Sequence, residues 1–336
     1  MGWLGIDIGG ANIKLADGRG YADAQPFALW KQPQRLAYEL RTQIALAPPC
    51  DHLAVAMTGE LADCYATKAE GVKRILEAVD EASDRRHTRV YLSRGVLVSP
   101  QVAMTRASEA AAANWHALAR FAGRLIGTSS ALVIDVGSTT CDLVPLVDGK
   151  VAAAGSTDTQ RLLSGELLYT GVERSPVCAV VDRVPYRGQE CTVAQELFAT
   201  TRDVYVVLDE LPEGGEPEFT ADGRPNQKAW ARARLARMLC ADAEEFNHRD
   251  AVSVAKAVAD AQARKLAEAI QRVVGRLPAV PAVCVLAGHG EFLARQALDL
   301  LALAVRIISL SKELGPRVSR CATAHALAVL AGETVA

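Results

Sequence analysis

The chain lacks the features that mark several large classes of protein. No C-x-x-C pair occurs, and Cys50, Cys64, Cys141, Cys178, Cys191, Cys240, Cys284 and Cys321 stand singly, so neighbouring thiols build neither a zinc ribbon nor a dithiol redox site. Several lie in apolar runs, as Cys284 does in AVCVLAG, and read as small buried hydrophobes in the reduced state. Aromatic residues make up only 5%, no basic stripe is interleaved with them, and 37 Lys and Arg against 39 Asp and Glu leave a formal charge of −2. That balance argues against nucleic acid as a partner. No apolar stretch reaches the roughly 18 residues of a membrane helix, and Met1 to Gly10 carries no basic leader pattern. A soluble cytoplasmic protein with no membrane partner is expected. His52, His87, His116, His248 and His325 show no ligand spacing, and none is assigned to a metal.

What is present is the composition of an ordinary α/β protein, 50% hydrophobic and 23% charged over 336 residues. That length exceeds what one hydrophobic core comfortably supports, so two domains are expected. WLGIDIGG, ANIKLADG and GYADAQPFALW read as three strands joined by glycine-marked turns. A helix over 34–46, the strand HLAVAMT, a helix over 68–82, the strand RVYLS and a helix over 110–126 follow. From residue 131 the plan recurs: ALVIDVGSTTCDLVPLVDGKVAAAGS supplies strand, turn, strand, turn and strand. Farther on come a helix over 252–274, the strand AVCVLAG, a helix over 291–303, the strand VRIISL and a helix over 320–330. The expected division is 1–127 and 128–336, with an insertion at about 157–249 in the second unit. Its LPEGGEP and TADGRPN stretches read as loops, and substrate specificity is expected to reside there.

Each half opens with a strand that ends in Asp-x-Gly and turns at once into another strand. Glycines at such a turn let backbone N–H groups approach phosphate oxygens, and the aspartate can hold Mg²⁺. The first copy runs Asp7-Ile8-Gly9-Gly10-Ala11-Asn12-Ile13-Lys14, where Lys14 can neutralise phosphate charge. The second, Asp135-Val136-Gly137-Ser138-Thr139-Thr140, adds three hydroxyls, with Asp142 two residues on. One Asp-x-Gly alone is an ordinary β-turn. Two at equivalent places, facing each other across a cleft, make a phosphate clamp. A third element, Ala287-Gly288-His289-Gly290-Glu291, follows a buried strand and opens a helix, which suits a nucleotide or another anion. His289 reads as a turn residue of this phosphate-binding element more readily than as a general base.

With IDIGG, IDVGSTT and AGHGE in this order, the chain resembles the actin-like ATPase superfamily of sugar kinases, actin and heat-shock chaperone ATPases over nearly its whole length. The resemblance implies duplicated ribonuclease H-like domains with a cleft between them. More closely, GIDIGGANIK, MTGELADCYATKAEGV, AAANW, IDVGSTTCDLVPL, RLLSGELLYTGVERSPV, AQELFATTRDVY and TADGRP look like the hydantoinase A and oxoprolinase-related proteins linked to tetrahydromethanopterin-dependent C1 transfer. That group includes, in archaea, a synthase of the methanofuran pathway. What is implied is a transferase that joins an aminomethylfuran-methyl diphosphate to a (glutamyl)tyramine phenol, forming an ether and releasing diphosphate. Asp7, Gly9, Gly10, Asn12 and Lys14 match the group's first loop, and Asp135, Gly137, Ser138, Thr139 and Asp142 its second. Gly288 and Gly290 match the third, and Thr58, Glu60 and Asp63 match the T-G-E-L-x-D run.

Ala11-Asn12 stand where the kinases carry Thr or Ser, which weakens an ATP reading; Asn12 and Lys14 suit a diphosphate leaving group instead. Mg²⁺ held near Asp7 or Asp135 is expected, and ATP is left open. Glu60 and Glu166 are the candidates for the base that takes the phenol proton, although each also reads as a first-turn or surface carboxylate. Thr140 joins the phosphate-binding residues, and Thr58, Asp63 and Asp142 are candidate substrate contacts. Arg161, Arg174 and Arg224 are candidates for the glutamyl carboxylates. The competing readings are an ATP-dependent kinase or ring-opening enzyme, and a nucleotide-sensing scaffold without turnover. A homodimer is left open.

Overall fold

Every residue of WLGIDI is buried, the mark of a strand covered on both faces, and in the computed structural model it forms the centre of a sheet. Residues 2–214 and 219–334 are described; 215–218, within the loop expected at LPEGGEP, lie outside them. The first sheet contains β1 (Trp3–Ile8), β2 (Asn12–Ala16), β3 (Ala22–Pro26), β4 (His52–Met57), β5 (His87–Tyr91) and β6 (Leu97–Val98), in the order β3-β2-β1-β4-β5-β6. β1 runs antiparallel to β2 and parallel to β4. The second sheet repeats this plan with β7 (Ala131–Val136), β8 (Cys141–Val147), β9 (Lys150–Val151) and β10 (Leu167–Leu168), followed after the insertion by β13 (Val283–Ala287) and β14 (Arg306–Ser309). Here β7 is antiparallel to β8 and parallel to β13, so β7 stands where β1 stands in the first half. The expected α/β duplication is therefore present in hydrogen-bonded topology, although the sequences of the halves share little beyond their turns.

Where the chain departs from expectation, a local cause is visible. The helix expected over 110–126 spans Asn114–Ile126, because Ala112 adopts a left-handed φ of 47° that no helix continues through. Two short helices, Pro100–Thr105 and Ala107–Ala110, precede that break. The third strand of the second half is only two residues long; β10, from the start of the insertion, pairs with β8 farther along. The insertion also holds a hairpin of β11 (Arg183–Tyr186) and β12 (Gln189–Thr192), and the helices Thr201–Val207 and Lys228–Arg237. Helix His248–Val274 begins four residues earlier than expected, where the side chains of Asn247 and Asp250 close a reciprocal capping box.

The last helix, Ala322–Thr334, crosses back to the first sheet. Its Leu327, Ala328, Leu330 and Ala331 share a buried cluster with Trp3, Ala54, Ala56, Ala113 at the cap of helix Asn114–Ile126 and Ala117 within it. Helix Asn114–Ile126 in turn packs Trp115, Leu118 and Ala122 with Val133, Val144 and Val285 of the second sheet. Two apolar helices thus lie between the sheets and set the turns of β1 and β7 facing each other.

Candidate functional site

The two Asp-x-Gly turns close in the same way. Gly9 N–H donates to the Asn12 carbonyl at 2.9 Å, and Gly137 N–H donates to the Thr140 carbonyl at 2.9 Å. Cross-strand partners share one face of a sheet. In the first half that rule sets Lys14 beside Asp7; in the second it sets Asp142 beside Asp135. Between the turns lies a cavity of about 500 Å³. Asp7, Gly9, Gly10, Asn12 and Lys14 line one wall, and Asp135, Gly137, Ser138, Thr139, Thr140 and Asp142 the opposite one. Thr58 and Asp63 contribute from the segment after β4, and Arg161 and Arg174 from the insertion.

Burial raises the pKa of all three aspartates. For Asp7 the rise is opposed by the Lys14 ammonium and by a hydrogen bond from the Asn114 side chain, while Asp142 adds to it. Burial, against Lys14 but with the help of Asp142 and Asp7, lifts Asp135 to about 7. Asp142 is restrained by Arg161, whose guanidinium donates to its Oδ1 at 2.7 Å. Both terminal nitrogens of that guanidinium are engaged, since it also donates to the Glu166 carbonyl at 3.0 Å and stacks 4.1 Å above the Trp115 ring, and Nε is left without a partner. Arg161 therefore fixes Asp142 and Trp115. Arg174 is different, since its guanidinium rests 4.5 Å over the Trp30 ring and faces the cavity.

The second turn is gripped from behind by the segment 170–175. Val172 N–H donates to the Gly137 carbonyl, and Glu173 and Arg174 N–H donate to the Ser138 carbonyl, at 2.9 to 3.0 Å. Gly171 is obligatory there, because a Cβ would fall 2.5 Å from both Ser138 C and Thr139 N. The carbonyl of Gly171 accepts from Thr201 Oγ1 at 2.8 Å and Gln262 Nε2 at 2.9 Å, and Gln262 is held in turn by the Tyr205 hydroxyl at 2.6 Å.

Other expected site residues stand elsewhere. Glu166 is 1% exposed and accepts from Ala154 and Gly155 N–H at 2.7 and 3.1 Å, which turns it toward the chain and off the cavity wall. Glu60 is equally buried at 1%, yet neither oxygen has a hydrogen-bond partner of normal geometry, and burial pushes its carboxyl up to about 7. It too lies behind the wall formed by Leu61, Ala62 and Ala112. Neither glutamate is placed to take a proton from a molecule in the cavity. Gly288, His289 and Gly290 do not line the cavity either: a Cβ on Gly288 would meet the Val136 carbonyl at 2.3 Å, and one on Gly290 would meet Val136 Cγ1 at 2.4 Å. These glycines permit close packing of the third loop on β7. His289 is tied by Nε2 to Glu173 Oε1 at 3.0 Å, and burial lowers its pKa. Arg224 stacks 4.7 Å over Trp230, outside the cavity.

Several lining residues carried no assigned role in the sequence. Trp30, Trp115, Tyr169, Leu61, Leu167 and Leu197 add aromatic and apolar surface to the wall, and Asn114 and Asp158 add polar groups. Asn114 and Trp115 lie in the AAANW run and Tyr169 in RLLSGELLYTGVERSPV, so the only signal was resemblance.

The donor set suits Mg²⁺. Asp7 Oδ1 is buried without a hydrogen-bond partner, and the polar part of the wall sets three cations, Lys14, Arg161 and Arg174, against five carboxylates, Asp7, Asp63, Asp135, Asp142 and Asp158. An anionic ligand entering there needs a cation with it. Among the described residues no group of three or more His, Cys, Asp or Glu side chains forms a metal site. Two carboxylates with the remaining ligands from water and phosphate is the way Mg²⁺ is usually held. No helix among the described residues is long and apolar enough to cross a membrane.

Comparison with known proteins agrees with this architecture. The enzyme named (4-{4-[2-(gamma-L-glutamylamino)ethyl]phenoxymethyl}furan-2-yl)methanamine synthase from Methanocaldococcus jannaschii is 32% identical over 330 residues, covering 97% of this chain and 96% of its own. The protein of the same name from Methanococcus vannielii is 30% identical over 201 residues, 59% of this chain and 89% of its own. Among solved structures, nucleotide-free acetone carboxylase superposes over 97% of this chain and 70% of that chain with a TM-score of 0.54 at 12% identity, a likeness of fold alone. The hydantoinase/oxoprolinase family matches residues 51–333, from the strand before Thr58 to the helix that closes the first sheet. The duplicated ribonuclease H-like chain, with its paired turns and shared last helix, thus belongs to the hydantoinase/oxoprolinase family.

Proposed function

We propose that the cleft forms an aryl ether with release of diphosphate, joining an aminomethylfuran-methyl diphosphate to the phenol of a (glutamyl)tyramine. The observation that carries this reading is the mixed lining of the cavity: the two glycine turns with their charged side chains suit phosphates, and Trp30, Trp115 and Tyr169 in the same wall suit the two rings. The relatives' printed name, a phenoxymethyl-furan synthase, supports the same substrates.

In this mechanism the bond between the furan's methylene carbon and the diphosphate oxygen breaks, and the phenol oxygen bonds to that carbon. The Asn12 amide, the Lys14 ammonium and the N–H groups of the glycine turns stabilise charge as it develops on the leaving oxygen. Mg²⁺ held by Asp7 and Asp135 would neutralise the remaining diphosphate charge. Because Glu60 and Glu166 lie behind the wall, the phenol proton passes to an oxygen of the departing diphosphate. Arg161 acts indirectly, by holding Asp142 and Trp115 in place. The ATP-dependent alternative is consistent with the fold, and the third glycine loop packs on β7 beside Asp135, where a Cβ on Gly288 would meet Asp135 Oδ1 at 2.6 Å.

The test is calorimetric titration in Mg²⁺ with diphosphate and, separately, with ATP, together with an assay for diphosphate release from the furan substrate. Diphosphate binding that Asp7→Asn abolishes, with release that requires the phenol, is the expected outcome. Tight ATP binding with no release would overturn the reading in favour of a kinase or ring-opening enzyme.

A further inference from the structure

A second cavity of about 230 Å³ adjoins the first and differs from it in charge. Ala11, Asn12 and Arg174 line both, so the first turn forms part of the partition. The annex holds three arginines, Arg174, Arg202 and Arg320, and two glutamates, Glu173 and Glu213. Arg202 is occupied, donating to Glu173 Oε2 at 3.1 Å and to the Gly214 carbonyl at 3.0 Å. Arg320 approaches Glu173 Oε1 only to 3.8 Å, and the guanidinium of Arg174 rests on an aromatic face. Two guanidiniums therefore keep donors to offer, with carboxylates beside them.

This balance selects among anions. A diphosphate would meet the like charge of Glu173 and Glu213. A single carboxylate with an ammonium beside it matches both signs, the carboxylate on Arg174 and Arg320 and the ammonium toward Glu213. Aromatic rings bridge the two cavities: Trp30 lines the first, Phe219 lines the annex, and they meet edge to face at 6.4 Å. Given the ether-forming function proposed above, we infer that the annex seats the free α-amino-acid end of a γ-glutamyl phenolic amine, while the phenol ring lies across Trp30 in the main cavity. Arg320 is then a specificity residue distant from the reacting carbon, and the enzyme distinguishes γ-glutamyltyramine from tyramine by its tail.

The experiment is calorimetric binding of γ-glutamyltyramine and of tyramine to the full chain and to Arg320→Gln, with Glu213→Gln as a second variant. The wild type is expected to prefer the glutamyl compound by about 10- to 100-fold, the worth of charge-assisted hydrogen bonds, and Arg320→Gln to remove most of that preference without changing diphosphate binding. Glu213→Gln should reduce it less. An undiminished preference in both variants would overturn the annex assignment and leave the ether-forming function standing. Equal binding of the two phenols by the wild type would do the same. Failure of the wild type to bind either phenol would overturn the annex and, if diphosphate release is also absent, the function with it.

Discussion

The two halves share a turn and use it differently. Gly9 and Gly137 close equivalent turns at equal hydrogen-bond distances, so topology repeats the backbone. Chemistry does not repeat: the residue opposite the turn's aspartate is Lys14 in one half and Asp142 in the other. Both turns are gripped from behind, the first by Phe27 and Leu29 N–H on the Ala11 and Gly10 carbonyls and the second by hydrogen bonds from 172–174, but the room for a side chain differs: a Cβ on Gly171 would strike the second turn, while one on Gly10 of the first would stand in open space. A duplicated fold therefore supplies two similar cradles, and side chains on the adjacent strand give them opposite charge.

That contrast can be broken from either side. Gly171→Ala drives a Cβ against the backbone of the second turn from a segment that Thr201 and Gln262 hold firmly, so neither side yields easily. A loss of about 3 kcal/mol in unfolding free energy, with turnover lost as well, is expected in urea titration and assay. Gly10→Ala should leave the urea midpoint unchanged and weaken only diphosphate binding. Equal destabilisation by the two substitutions would show that the space beside Gly10 is not open. Next in size, Lys14→Ala removes the cation that the second half lacks at this position. Turnover should fall roughly 100- to 1000-fold, the range for removing one preorganised group that stabilises developing charge, by more than the stability falls. Unchanged turnover would take Lys14 out of the site.

Much of this comparison was legible before any coordinates. Glycine turns and period-2 strands are local signals, so the duplicated order and the facing turns followed from IDIGG and IDVGSTT. The aromatic wall was not legible, because Trp30, Trp115 and Tyr169 come from three separate segments that only tertiary packing brings together. The AGHGE loop is ambiguous in sequence for a related reason. A glycine that lets a loop pack on β7 looks, in sequence, the same as one that admits a phosphate. Burial of a carboxylate is also invisible locally, and Glu60 and Glu166 were offered as equals.

They are equals in exposure and opposites in satisfaction, which gives the third contrast. Glu60 has a folded pKa of about 7 against an ordinary value of 4.5. Between those values the folded state holds the proton that the unfolded state has released, so wild-type stability falls as pH rises through this window, and the penalty is complete above 7. Glu60→Gln should therefore stabilise the protein at pH 8, by up to about 3 kcal/mol, and do little at pH 4.5. Glu166→Gln should destabilise at both, by about 1 to 3 kcal/mol, since it sets an amide against two backbone donors. Thermal unfolding at the two pH values distinguishes them, and a Glu60→Gln variant less stable at pH 8 would mean that the carboxylate has a partner.

The smallest effect is expected where the halves meet at the surface. Lys68, at the start of helix Lys68–Ala82, reaches Asp158, at the start of helix Asp158–Ser164, at 3.3 Å. The pair resembles a latch across the cleft, yet the side chains are 38% and 20% exposed, and water screens the attraction while two flexible chains lose freedom to make it. Lys68→Ala should therefore cost less than about 1 kcal/mol, and less again when the unfolding is repeated in about 1 M salt. The halves are joined instead by apolar surface, through Ala322–Thr334 and Asn114–Ile126. Leu327→Ala, in the buried cluster of the returning helix, should cost about 2 to 5 kcal/mol at either salt concentration. A salt-dependent loss from Lys68→Ala as large as that from Leu327→Ala would mean that the relation between the two turns depends on charge and not on the shared helices.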